Sequence, residues 1–447
     1  MAQNFITLPP LFQRTAVTAL MSLAIAGCGA TSTLAPDVGV GASPQLPAPQ
    51  RSLIPTIHVA PVQGWPEGVM PLAPAGFNIT ALARGLDHPR WVYTLPNGDV
   101  LVAESNKPAD AGVGEKNGIK RWIAGLFMKR AGAGVPSANR ITLLRDANGD
   151  GVADIRTSFL TNLNSPFGMA LVGNDLYVAD ADAVVKFPYT PGQTSITAAG
   201  VKVVDLPSRI NHHWTKNLLP NADGSKLYVS VGSNSNIGEN GMEAEEGRAA
   251  IWEVDTKTGA NRIFASGLRN PNGLGWEPQT KKLWTVVNER DELGNDLVPD
   301  YLTSVDDGAF YGWPWSYYGA NVDTRVQPQQ PDMVARAKVP DYALGSHVAP
   351  LGLAFSDGSA LARRYPTGAF IGEHGSWNRK PFSGYKVVFV PFQNGKPSGL
   401  PQDVLTGFLS PDGKAYGRPV GVAFDARGAL LVADDVGNVV WRIAPRP

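Results

Sequence analysis

From about residue 76 onward the chain alternates short apolar runs with turns rich in Gly, Asp, Asn and Pro. The runs are strand-length, carry Val, Ile, Leu and aromatic residues, and show no sustained helical period. One unit recurs: a turn with Pro or Gly, an apolar strand, a Gly or Asp turn, and a second apolar strand. Pro89-Arg90-Trp91-Val92 leads to Val100-Leu101-Val102-Ala103-Glu104, and Pro166-Phe167-Gly168-Met169 leads to Leu176-Tyr177-Val178-Ala179-Asp180. Later copies run from Trp214 to Ser230, from Gly267 to Val287, from Pro350 to Glu373 and from Pro419 to Asp434. Copies also carry a more outward strand, such as Ile251-Trp252-Glu253-Val254 or Val439-Val440-Trp441-Arg442-Ile443. Six copies of this kind predict an all-β chain, a six-bladed β-propeller of four-stranded antiparallel blades. A β-sandwich does not explain the repetition.

Such a ring gathers the loops from one end of every innermost strand around its axis, and chemistry is expected there. His213, preceded by Asn211-His212, heads the third copy, and Arg269 and Asn270 head the fourth. Asn288-Glu289-Arg290-Asp291-Glu292 follows the strand Leu283–Val287, Glu373 to Lys380 follows the second strand of the fifth copy, and Arg418 heads the sixth. Cations, histidines and an acidic loop on one rim suit an anionic cofactor with a divalent ion better than a neutral ligand. An ordinary turn with a solvated Arg269, and a capping or core His213, are the plainer readings. His212 and His374 fit supporting roles, while His88 and His347 head copies and are candidates to line a sugar pocket. Trp313, Trp315, Tyr317 and Tyr318 either stack on a sugar ring or fill the seam between blades.

The motifs His213-Trp-Thr-Lys-Asn-Leu, Leu268-Arg-Asn-Pro-Asn-Gly-Leu, Asn288-Glu-Arg-Asp-Glu-Leu, Tyr311-Gly-Trp-Pro and Gly417-Arg-Pro-Val-Gly occur in this order. Together they resemble the sorbosone dehydrogenase branch of the soluble quinoprotein sugar dehydrogenases, over about Gly76 to Ile443. The resemblance implies oxidation of an aldose or sugar-derived aldehyde by hydride transfer to pyrroloquinoline quinone (PQQ) with calcium. It also implies that His213 is the general base, that Arg269 lies beside quinone and substrate, and that Asn270 contacts the cofactor. Arg418, with Arg379 or Lys380, matches the cations that pair with cofactor carboxylates. Glu289 and Arg290 fall where main-chain carbonyls hold the calcium. The glucose dehydrogenase branch has Gly-Pro at that point, so the Asp291 side chain is an alternative ligand. PQQ chemistry asks for such a set: carboxylates need a cationic cradle, and a neutral imidazole can take a hydroxyl proton.

Composition narrows the setting. Lys+Arg and Asp+Glu are both 39, a balance that argues against nucleic-acid binding. The single cysteine, Cys28, excludes an intrachain disulfide and a haem attachment motif, so electrons must pass to an external acceptor, a quinone or cytochrome. An apolar run from Ala16 ends Ile25-Ala26-Gly27-Cys28, which resembles a lipoprotein signal over residues 1–28. Lipidation at Cys28 would place the protein on the periplasmic face of a bacterial membrane, with the outer membrane expected. Residues 29–75, rich in Ala and Pro, read as a tether to the 76–447 propeller that holds the domain away from a membrane, and whether its last part packs on the domain is left open by the composition.

Asp146-Ala-Asn148-Gly-Asp150-Gly151 copies the opening of a calcium loop, with Asp154 nearby, but position twelve is Thr157, and a polar hairpin turn accounts for it better. Two other function classes remain open, a calcium-dependent lactonase and a non-catalytic binding propeller.

Overall fold

The computed structural model describes residues 31–35, 37–50, 56–108, 130–132, 134–356 and 359–446; the proposed signal and Cys28 lie outside them. Six antiparallel sheets form the blades of a β-propeller. Their innermost strands are Pro89–Thr94, Met169–Val172, Leu218–Pro220, Pro271–Trp276, Pro350–Phe355 and Pro419–Phe424. The next strands, Val100–Glu104, Leu283–Val287 and Gly368–Glu373 among them, are buried along their whole length. An outermost strand such as Val201–Asp205 is mostly exposed. This gradient explains why the inner runs are continuously apolar while the outer ones alternate: inner strands are covered on both faces by neighbouring blades. Between the fourth and fifth blades, for example, Trp284 packs edge-on against Phe392 with ring centres 5.0 Å apart.

The recurring Pro-x-Gly has a steric cause at the axis. A Cβ on Gly352 would meet the Val420 carbonyl at 2.2 Å, and one on Gly273 would meet Leu353 at 2.6 Å. Glycine at these positions lets neighbouring innermost strands approach within backbone contact. The ring is closed by the first and last strands of the propeller: Phe77–Arg84 pairs antiparallel with Val439–Pro445 and becomes the outermost strand of the sixth blade.

The segment read as a tether is laid along the propeller. Val40–Gly41 adds a fifth strand to the fourth blade, with Val40 opposite Leu344. Bridges then join His58 to Asn378, Val62 to Ala415 and Leu72 to Thr406. The strap so formed passes from the fourth blade across the fifth to the sixth.

Candidate active site

Innermost and second strands are antiparallel, so the start of one meets the end of the next on the same rim. That geometry gathers His88, Arg90, His213, Arg269, His347 and Arg418 with Asn288–Asp291, His374–Asn378 and Asp435. They divide into two arcs.

The first arc centres on Arg269, which is 3% exposed. Its guanidinium donates to the Glu289 carbonyl at 2.7 Å and the Asn236 side chain at 3.1 Å, and pairs with the Asp291 carboxylate at 3.0 Å. Asp291 also accepts from Asn378 at 2.8 Å and lies 3.6 Å from His347 Nδ1. Burial would raise the Asp291 pKa, but Arg269 and His347 outweigh it and hold the carboxyl well below the usual range. His347 Nε2 faces the Gly294 carbonyl at 2.9 Å. An acceptor at each nitrogen favours the protonated ring. Burial works against that charge, the Asp291 carboxylate outweighs it, and the pKa is raised.

His213 stands next to this arc. Its Nδ1 lies 2.8 Å from the Ser233 carbonyl and 3.0 Å from Ser233 Oγ, whose own proton goes to the Ser235 carbonyl. Nδ1 therefore carries the proton, and Nε2 keeps its lone pair. Burial first, and the Arg269 charge second, push the imidazole pKa well below its ordinary value. His213 is thus a half-buried neutral base. Gly232 leaves it room: a Cβ there would meet Asn270 Oδ1 at 2.4 Å and His213 Cβ at 2.6 Å.

The second arc centres on Asp435, whose Oδ2 takes Arg90 at 2.6 Å and His374 Nε2 at 2.8 Å, with His88 Nε2 at 3.5 Å. These partners outweigh burial and hold its pKa well down. Arg90 lies 5.5 Å from the Trp214 ring centre and so joins this arc to the His213 loop. Arg418 completes it. Its main-chain N–H donates to Asp434, and its guanidinium lies 4.9 Å from the Tyr385 ring centre. Yet Arg418 Nε and Nη2 are buried without a partner, as are Asn270 Oδ1 and Asp435 Oδ1. A buried guanidinium with unpaired nitrogens is costly unless an anion meets it. These atoms fit a polycarboxylate cofactor with additional polar groups.

The strap contributes a support that the sequence did not reveal. Trp65 Nε1 donates to Asp434 Oδ2 at 2.6 Å, while Oδ1 of the same carboxyl receives the Arg418 N–H at 2.8 Å. Burial pushes Asp434 up to about 7, so its donors decide whether it stays ionised. Trp65→Phe keeps the ring packing and removes one donor. The expected loss is about 1 kcal/mol of anion binding at Arg418, with turnover unchanged at saturating cofactor. A fluorescence titration with PQQ checks this; unchanged affinity would show that Asp434 holds Arg418 without the strap.

Several expected site residues are placed differently. The Arg290 side chain is buried against Asp323 at 2.9 Å, which leaves its main-chain carbonyl, the atom expected to face the ion, out of the pair. Arg379 is spent on the Asn295 and Pro381 carbonyls, Ser32 and Asp296, and Lys380 is exposed beside it. The Asp291 carboxylate is committed to Arg269 and Asn378 rather than presented to a metal. His88 and His347 are buried against carboxylates, His88 3.5 Å from Asp435 and His347 3.6 Å from Asp291. Tyr317 and Tyr318 join a core cluster that spans the third and fourth blades, the seam-filling alternative, and Trp313 braces the Asn236 carbonyl at 2.8 Å.

The Asp146 loop is a polar turn. Asp146 caps Gly149 and Gly151, Asp154 takes the Ala147 N–H, and Arg427 lies 3.3 Å from Asp146. Among the described residues no group of three or more acidic, His or Cys side chains is arranged to hold a metal, and Asp146, Asn148, Asp150 and Asp154 bond to one another and to main-chain N–H groups of the turn. Arg90, Asp435 and Asn236 were missed, and Asn378 was given no role within the Glu373 to Lys380 loop. Arg90 alone had a signal, since Pro89-Arg90 heads a blade as Arg418-Pro419 does.

The profile of the TrAA12-like family matches residues 132–301 and 322–445. An uncharacterised protein of Borreliella burgdorferi is 28% identical over 63% of this chain and 76% of its own length. A PQQ-dependent sugar dehydrogenase of Hypocrea jecorina is 25% identical over 82% of this chain and 87% of its own length. A PQQ-dependent pyranose dehydrogenase of Coprinopsis cinerea is 25% identical over 82% of this chain, which spans only 54% of that longer protein. Among solved structures, the calcium structure of the Trichoderma reesei family AA12 enzyme superposes with a TM-score of 0.67, at 19% identity, covering 88% of this chain and all of that one. The holo PQQ domain of the Coprinopsis cinerea enzyme gives 0.66 at 20% identity, over 87% of this chain and 100% of that chain.

Proposed function

The chain belongs to the TrAA12-like family, and from that premise we propose that it is a PQQ-dependent sugar dehydrogenase. Its substrate is an aldose or a sugar-derived aldehyde of the sorbosone kind, whose hydrate presents the same CH–OH group. The observation that carries this reading is the pairing of a neutral His213 with the unpartnered buried Arg418 guanidinium on one rim.

When bound, PQQ supplies an electrophilic quinone that accepts hydride. The chain's own residues do the rest. Arg418 receives a carboxylate, and Asn270 Oδ1 is free to accept from the ligand. His213 Nε2 takes the hydroxyl proton of the sugar as hydride leaves the same carbon, and Ser233 holds the ring. Arg269, fixed by Asp291 and Asn236, sets a positive charge beside the reacting oxygen. Electrons leave to an external acceptor.

Calcium would be held by the Glu289 and Arg290 carbonyls, the first of which already accepts from Arg269. Two carbonyls fall short of a calcium shell of about six to eight oxygens, so ion and cofactor must bind together. Calorimetry of the apoprotein with PQQ is expected to give strong heat with calcium and weak heat with a chelator. Equal heats contradict the calcium reading, and no heat in either contradicts the cofactor reading. A calcium-dependent lactonase is less well supported, because Asp291 and Asp435 on this rim are already bonded to arginine and other donors.

We also read Cys28 as a lipidated N-terminus that anchors the protein on the periplasmic face of a bacterial membrane. Cys28→Ser is expected to release the protein into the soluble fraction. A parent protein without added mass by spectrometry contradicts the anchor.

A further inference from the structure

We propose that the rim carrying the site faces the membrane surface, held against it at the junction of the fourth and fifth blades. The inference rests on the lipid-anchor reading of Cys28 and on where the chain first docks. Ser32 N donates to the Lys380 carbonyl at 2.7 Å, Ser32 Oγ bonds Asp296, and Thr33 N donates to Asp296 at 3.2 Å. Arg379 closes the knot with 2.8 Å to Ser32 Oγ and 3.2 Å to Asp296. This knot borders the site, since Asn378 binds Asp291 and Asp291 binds Arg269.

Only Gly29, Ala30 and Thr31 separate Cys28 from Ser32. Fully extended, that distance is at most about 14 Å. A lipid on Cys28 therefore cannot stand the propeller off the bilayer, and the docked strap removes the slack that a free tether would give. The opposite face, where Gln279 turns between strands, lies about 20 Å farther away, the length of one blade strand.

The surface beside the knot suits this contact. Trp377 is 40% exposed and Ile57 39%, and the adjacent Lys380 is exposed. An indole, an aliphatic side chain and an ammonium are the side chains that settle at an anionic lipid interface. Nothing in this arrangement needs insertion into the bilayer, and no described helix is long and apolar enough to cross it.

The test uses the full-length lipidated protein in vesicles of phosphatidylethanolamine and phosphatidylglycerol containing a headgroup nitroxide lipid. Cys28 is the only cysteine, so Lys380→Cys and Gln279→Cys each give a unique site for a bimane label. Most of the fluorescence at position 380 is expected to be lost, and that at 279 retained. A long Gly/Ser insertion after Gly29 is expected to keep the lipid and abolish the contrast. Equal quenching at both positions in lipid-bearing protein, or a contrast that survives the insertion, overturns the proposal while leaving the anchor intact. A mass spectrum without lipid removes the anchor itself and the proposal with it.

Discussion

His213→Gln is expected to slow reduction of bound PQQ by an accepted sugar by on the order of 10²–10⁴-fold, the usual worth of a positioned base. The variant keeps size and a hydrogen-bonding group, so the Ser233 contacts can persist. PQQ affinity should be unchanged, because the task of His213 begins only when a hydroxyl must lose its proton. The pH profile gives an independent check. The imidazole pKa lies well below its ordinary value, through burial and Arg269, so the base is neutral across neutral pH. The reductive rate should therefore be flat there and fall only as the pH drops through that lowered pKa. Stopped-flow bleaching at saturating cofactor measures both. A variant reduced at the parent rate would move the base elsewhere, with His212 the next candidate.

Arg418→Met should act with opposite signs on the two forms of the protein. In the cofactor-free form Arg418 is a buried cation whose Nε and Nη2 lack partners, with the Tyr385 ring centre 4.9 Å away. Replacing it with an apolar chain relieves that cost, so the apoprotein is expected to melt slightly higher. With cofactor, the lost charge-assisted pair is worth about 1.5–3 kcal/mol, which weakens PQQ binding by roughly 10- to 100-fold. Turnover at saturating PQQ should stay near that of the parent. A thermal melt and a binding titration, run side by side, read both signs. A lower apo melting temperature with unaltered PQQ affinity would make Arg418 a structural residue.

The ring was legible because its signals are local and repeated. β-branched runs report buried strands, and Pro-x-Gly reports an axis where a Cβ at Gly352 has no room. His213, Arg269 and Arg418 were legible because they stand at matching positions before innermost strands. What failed depends on contacts far apart in sequence. Arg379 and Lys380 read alike until Asp296 and Ser32 take the guanidinium of the first. Asn236 and Asn378 are ordinary loop amides until the closed ring brings them to Arg269 and Asp291. The Ala- and Pro-rich segment has the composition of a spacer, and only the partners Leu344, Asn378 and Asp434 turn it into a strap.

A rim that oxidises a sugar through a bound quinone must show the reaction in the quinone spectrum. The most direct measurement loads the apoprotein with PQQ and calcium without oxygen, adds single aldoses, and follows the quinone absorbance. Saturable, equimolar loading is expected, then bleaching by at least one aldose with one lactone formed per cofactor reduced. Loaded protein whose quinone spectrum no aldose or sugar aldehyde changes would contradict it.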